Sequence, residues 1–518
     1  AVFRFFNVAK FHLSMRECPN PLVKNDFTIR PFVSDQSSFD YPTSFDCTRT
    51  LADVYCTLSP STCFRKRPMI QLEANSTANF ARPTRREWMR LGFLGVGGLT
   101  LGDLLRLRAG ESAKPKDTAV ILLFAHGGPS HLETYDMKPG ASDDIRGPFK
   151  PIKTNVPGIE VCEHLPKHAK IADRFSLIRS VTHDEADHFA GHRRFLSGYG
   201  KLKSGTGYES HYPQVGAIIN RLRPATKPGM PTALAVNGVV VNGPDYAAGI
   251  SEGYWPSVHR VPIVNGGIRD AVPIVDGRRL NDRLSLKRDF DTMRHSLDVT
   301  GSMDTMDSFG RQALEMMATG EVRKAFDLSQ EDPKTRDKFG DGYGQEVLIA
   351  RRLVEAGVSF VTVCARGSGP GTKAHDWDDH AVNWDMQGAM LARMPRYDHV
   401  VSTLINDLYE RGLDQKVLLI VTGEFGRTPR LEKQNGIIGR DHWPSAMSIL
   451  ISGGNMPMGQ VIGSTTSTGE RPKDRPLDPH DLLATIFHFL GINHRTEIND
   501  ETGRPFPICR GEPIRELV

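Results

Sequence analysis

Cysteine is scarce, seven in 518 residues. Four of them (Cys18, Cys47, Cys56, Cys63) crowd the start of the chain without the CxxC spacing of a zinc site. Cys162, Cys364 and Cys509 are strewn over the rest, which excludes a disulfide framework. Charge of one sign is also lacking: Lys+Arg of 65 against Asp+Glu of 61 leaves +4. That balance gives no global attraction to nucleic acid or acidic membranes. Arg193-Arg194 and Arg351-Arg352 are basic pairs without the aromatic interleaving of a nucleic-acid surface. No apolar run reaches the roughly 18 residues of an integral membrane span. Repeats and low-complexity tracts are absent. What remains, 39% hydrophobic and 24% charged, is a globular balance that excludes a wholly disordered or polytopic chain. Such a length needs neither disulfides nor metals merely to fold.

Short apolar runs alternate with helical patterns. TAVILLF (118–124), SFVTVC (359–364), KVLLIVT (416–422) and SILIS (448–452) are rich in β-favouring residues and stop at Gly or polar residues, as buried strands do. Residues 345–356 show helical spacing and end at Gly357, residues 386–411 form a long amphipathic stretch closed by Gly412, and Asp478-Pro479-His480 caps 481–490. This alternation predicts a three-layer α/β/α sandwich around a mostly parallel sheet. In such folds ligands sit beyond the carboxyl ends of strands, here after Phe124, Cys364 and Thr422. Residues 200–345, with weaker periodicity, read as an insertion covering the site, carrying its own helices such as one over 278–297.

Ahead of this body, Thr84-Arg85-Arg86-Glu87-Trp88-Met89-Arg90 and the glycine-rich apolar run 91–101 have the order of a twin-arginine export signal. The expected destination is periplasmic or extracellular. No clean small-x-small cleavage site follows, with 109–113 the nearest candidate, so retention as an N-terminal anchor stays open. Met69 is a natural start for that signal, leaving 1–68 as a mis-called start or disordered extension, 69–113 as the signal region and 114–518 as the folded domain.

Histidines and acids gather in four windows: 126–133 (HGGPSHLE), 182–192 (THDEADHFAGH), 375–380 (HDWDDH), and Glu424 with 439–443 (GRDHW). Eight of the 18 histidines lie there, each window at a strand end or loop, far more than even scatter would place. Imidazole nitrogens with carboxylate oxygens suit a divalent metal: zinc, manganese or calcium. The candidate ligands are His126, Asp376, His380, Glu424, Asp441 and His442. Asp376 and His380 are four apart, so a helical turn would put both on one side, and a loop could also converge them. His188 and His192 are the candidate acid–base residues.

HGGPSHLET, RSVTHDEADHFAGHRRFLSG, GEFGRTP and GRDHWP, in that order after RREWMRLGFLGVGGLTLGDLLRLRA, resemble the domain-of-unknown-function 1501 family over roughly residues 80–510. That resemblance implies the alkaline phosphatase and sulfatase superfamily, hence a metal-centred hydrolytic site. It matches an Asp-x-x-x-His metal motif to Asp376 and His380 and the late His to His442, with Asp441 beside it. An Asp-His pair after a late strand is met by Glu424-Phe425, and the Asp that ends the first strand is replaced near His126. The place of the nucleophilic Ser, Thr or Cys falls on His188, and the sulfatase Cys-x-Pro-Ser-Arg context is missing.

Two functions follow. One is an exported metal-dependent hydrolase of phosphate or sulfate esters, small or on a polysaccharide, with water attacking directly and His188 or His192 as base, or His188 itself forming a covalent intermediate. The other is a secreted binding or scaffold protein with degraded chemistry on the same fold.

Overall fold

The computed structural model describes residues 117–200, 211–227, 229–237, 247–264, 320–366, 376–382 and 384–518. The four early cysteines, the export signal, the cleavage candidate, the helix expected over 278–297 and His375 lie outside the described residues.

Eight strands form one sheet: β1 (Ala119–Phe124), β2 (Ser176–Val181), β3 (Ala233–Val236), β4 (Ile263–Val264), β5 (Phe360–Cys364), β6 (Val417–Thr422), β7 (Met447–Gly453) and β8 (Val461–Ile462). Their order is β8-β2-β7-β6-β1-β5-β3-β4. β1 lies at the centre, parallel to both β5 and β6. β7 alone runs against its neighbours β6 and β2. The parallel strands therefore end on one edge, and β7 begins there.

Five of the helices among the described residues bear on the site and the core: α1 (His188–Ser197), α2 (Val215–Leu222), α3 (Tyr343–Ala356), α4 (Met386–Glu410) and α5 (Pro479–Phe489). Strand alternation sends Ile121 and Leu123 of β1 to one face, where they meet Val347 and Leu353 of α3 and Val401 and Leu404 of α4. Val120, Leu122 and Phe124 face the other way, towards Phe195 of α1, Ile218 of α2 and Phe487 of α5. All six side chains of β1 are buried, each contributing about 1.5–3 kcal/mol where the side chain is large. Both faces are thus covered, which is why these strands read as unbroken apolar runs. α3 stops at Gly357, whose φ of 118° is costly for other residues, and α5 starts with a capping box between Asp478 and Asp481.

Two differences from the sequence reading concern short elements. β3 and α2 fall inside 200–345, and β3 pairs with β5 in the central sheet, so this part of the segment belongs to the main body. Four residues of strand are too few to show a period. Of the second basic pair, Arg351 is buried and meets Glu331 at 2.7 Å and Asp407 at 3.0 Å, and Arg352 meets Glu331 at 2.7 Å.

Candidate metal centre

Past β1 the chain turns through His126-Gly127-Gly128. Gly127 and Gly128 have φ of 104° and 82°, and a Cβ on either would lie 2.5 Å from the Asp378 nitrogen or 2.6 Å from the Phe425 ring. Only glycine lets this turn close over the site. The Gly127 N–H donates to both oxygens of Glu424, at 2.9 and 3.2 Å. Glu424 stands two residues past the end of β6, is fully buried, and its carbonyl accepts from His183 Nε2 at 2.7 Å.

α1 supplies the second window. Asp187 caps it by accepting from the Ala190 N–H at 3.0 Å. His188 and His192, one helical turn apart, then point to the same side. The third window, after β5, is pinned by Trp377, whose backbone N–H donates to the His126 carbonyl at 2.9 Å, and by Arg393, which pairs with Asp379 and lies 4.2 Å over the Trp377 ring. The fourth returns as a short ladder in which His442–Trp443 pairs antiparallel with Gly426–Arg427.

These windows bring seven donors into two groups, the donor atoms of each lying within 4.8 Å of one another. The rim group is His188, Asp378, His380 and His442. Its three Nε2 atoms converge on Asp378 Oδ1, at 3.2, 2.7 and 3.1 Å. The inner group is His126, His192 and Glu424. His126 Nδ1 lies 2.9 Å from His192 Nε2, and the two imidazoles lie 3.9 and 3.6 Å from the carboxylate. His188 joins the groups, because its Nδ1 contacts Glu424 Oε1 at 2.7 Å.

The electrostatics follow from burial and from these contacts. Burial pushes His126 down to about 3, holding it neutral, the form in which an imidazole ligates a metal. Burial also opposes a charge on His188, yet its hydrogen bonds to Asp378 and Glu424 override this and raise it to about 10. Desolvation acts against the charged form of Glu424, and the three surrounding imidazoles outweigh it, keeping the group ionised. Asp378 is likewise held far below the carboxylate range by His188, His380, His442 and Arg427 despite its burial.

Of the residues the sequence singled out, His126, His188, His192, His380, Glu424 and His442 come together. Asp376 belongs to neither group; its Oδ1 accepts from the Asp378 N–H at 3.2 Å, and burial raises its pKa. The helical-turn argument for it fails because residues 376–380 form a bend, and Asp378, two places on, points inward instead. Asp441 sits behind a donor: its Oδ1 lies 3.0 Å from His380 Nδ1, so it orients that ring and leaves Nε2 facing the group. The Ala186 carbonyl does the same for His442, accepting from Nδ1 at 2.7 Å.

Sequence reasoning missed Arg427. It is fully buried and donates to Asp378 Oδ1 (2.8 Å) and to the carbonyls of Gly128 (2.9 Å), Trp377 (3.0 Å), Arg440 (3.1 Å) and Gly127. One guanidinium thus ties three of the windows. Its presence in GEFGRTP, beside a Glu at a strand end, was the available signal. Phe425 packs against His188 and His442 with ring centroids 5.2 and 4.4 Å away.

Five imidazoles and two carboxylates suit zinc, manganese or a similar transition cation. Calcium, which takes six to eight oxygens, does not fit this nitrogen-rich set.

Among solved structures the chain is similar to the sulfatase PsFucS1 from Pseudoalteromonas sp. (14% identity, covering 76% of this chain and 70% of that one, TM-score 0.34). It is also similar to alkaline phosphatase from the Antarctic bacterium TAB5 (12%, 72% and 96%, TM-score 0.32) and to the lipoteichoic acid synthase LtaP from Listeria monocytogenes (8%, 76% and 75%, TM-score 0.32). No curated protein matches. At those scores the fold is read from this chain's own sheet. A family profile, described as a protein of unknown function (DUF1501), matches residues 117–518, well over half of the chain. This chain belongs to the DUF1501 family.

Proposed function

We propose that this protein is an exported, metal-dependent hydrolase of phosphate or sulfate esters, small or carried on a polysaccharide, that works without a Ser, Thr or Cys nucleophile. The observation that carries it is the convergence of seven donors from four distant windows into two adjoining groups at the carboxyl edge of the sheet. A degraded scaffold has no need to keep such donors buried, oriented and mutually satisfied.

In this reading Asp378, His380, His442 and His188 hold one divalent cation, and His126, His192 and Glu424 a second. Bound cations supply Lewis acidity for the ester oxygens and acidify water. The chain's own part is positioning. Asp441 and the Ala186 carbonyl fix the ring faces of His380 and His442, Arg427 fixes Asp378, and the Gly127 N–H fixes Glu424. His188 stands at the start of α1, where the superfamily resemblance puts the nucleophile, with its side chain 20% exposed. With Nε2 turned to the rim group and Nδ1 to Glu424, His188 serves as a donor, as does His192, 1% exposed.

The test is metal analysis of the purified protein together with hydrolysis of aryl phosphates and aryl sulfates. Hydrolysis lost on chelation and restored by zinc or manganese is expected, as is loss of bound metal in His442→Ala. Metal-free protein with unchanged stability in that variant would refute the proposal. Export is tested separately by Arg85→Lys with Arg86→Lys, which is expected to retain the precursor in the cytoplasm; unchanged secretion would overturn that part.

A further inference from the structure

The two donor groups differ in their access to solvent. Rim side chains are 20% (His188), 19% (Asp378), 17% (His380) and 16% (His442) exposed. Inner side chains are 6% (His126), 1% (His192) and 0% (Glu424) exposed. Behind the inner group lies a cavity of about 10 Å³ bounded by Phe124, Ala248, Val363 and Cys364 beside His126 and His192. That is room for a single water, and far too little for a chelating molecule. The supports differ as well. Glu424 is clamped by a buried backbone N–H and by His188, whereas His380 leans on Asp441, whose side chain is 51% exposed.

Exchange of a cation requires water or a competing ligand to replace protein donors one at a time. Donors reached by solvent can be replaced stepwise; donors sealed in the core can be replaced only after local opening, which is slow and costly. We propose that the inner group holds a resident cation and the rim group an exchangeable one, so that the supply of divalent cation outside the protein regulates activity through rim occupancy alone. His188 carries the link, since it is a rim donor held in place by the inner carboxylate. This inference rests on the metal-dependent reading above.

The experiment loads the full chain with zinc, removes the excess, and follows release to a chromophoric chelator. Two phases of one equivalent each are expected, the slow one at least about tenfold slower than the fast. His380→Ala is expected to lose the fast phase and keep one slowly released equivalent. His192→Ala is expected to lose the slow phase; because His192 is buried and its variant could misfold, circular dichroism accompanies it and the His380→Ala arm decides. Release of both equivalents in a single phase, or loss of both in a folded His380→Ala protein, would overturn the inference and leave metal dependence standing. Failure of the unaltered protein to hold any zinc would sink both.

Discussion

Replacing Arg427 by methionine isolates what a buried guanidinium does for this centre. Methionine keeps much of the volume and removes the charge and the fork. The change removes the one guanidinium among the donors around Asp378 Oδ1, 2.8 Å from Nη2, and deprives the carbonyls of Gly127, Gly128, Trp377 and Arg440 of a donor. Breaking a buried ion pair from one side costs about 3–5 kcal/mol. Each orphaned buried acceptor adds about 1–3 kcal/mol at most, and such terms do not sum. A loss of about 3–5 kcal/mol is therefore expected in chelated protein, measured by urea unfolding. With zinc bound, the cation takes over the charge that Arg427 supplied to Asp378, and the loss is expected to shrink by about 1–2 kcal/mol. Arg430→Met is the control, because Arg430 is 78% exposed and meets Asp144 only at 3.4 Å, so under about 0.5 kcal/mol is expected. An Arg427→Met loss below about 1 kcal/mol, or one that grows on zinc binding, would refute this account of how Asp378 is held.

Three other outcomes follow. Gly128→Ala puts a Cβ 2.6 Å from the Phe425 ring at φ 82°, so a loss of about 1–3 kcal/mol and weaker zinc binding are expected by thermal unfolding with and without metal. Asp441→Asn removes the carboxylate behind His380, and an approximately 10–100-fold fall in rim affinity is expected by competition with a chelator, the inner equivalent staying bound. His480, which belongs to neither donor group, is pushed by burial from 6.5 down to about 4. It is neutral in the folded protein, so the stability it contributes is present above about pH 6.5 and is lost as pH falls towards 4, at up to about 1.4 kcal/mol per pH unit. His480→Gln is expected to flatten the pH dependence of unfolding in that window; an unchanged slope would contradict the assignment.

Legibility in the sequence tracked length and burial. β1, β5, β6 and β7 were visible because strands covered on both faces are continuous apolar runs. β2 was not, since Arg179 interrupts SLIRSV and reaches solvent, nor was α1, whose helical pair His188 and His192 lies in a polar window bounded by Asp187 and Gly198. The same cap signals that announce α3 and α5 are present there, and would have placed both rings on one face. At 376–380 three aspartates compete, and spacing alone favoured Asp376 over Asp378 because no local pattern says that the segment is a bend.

By itself, the amino-acid order determined the layered architecture, the family, and the kind of donors collected at strand ends, because these depend on periodicity and residue chemistry within short windows. Tertiary structure decided which oxygen of HDWDDH turns inward, that Asp441 stands behind a ring, that Arg427 ties the loops, and that seven donors divide into a sealed trio and a solvent-reached quartet. Those outcomes depend on distances between segments up to 316 positions apart in the chain, from His126 to His442, which only the packed sheet and its loops set.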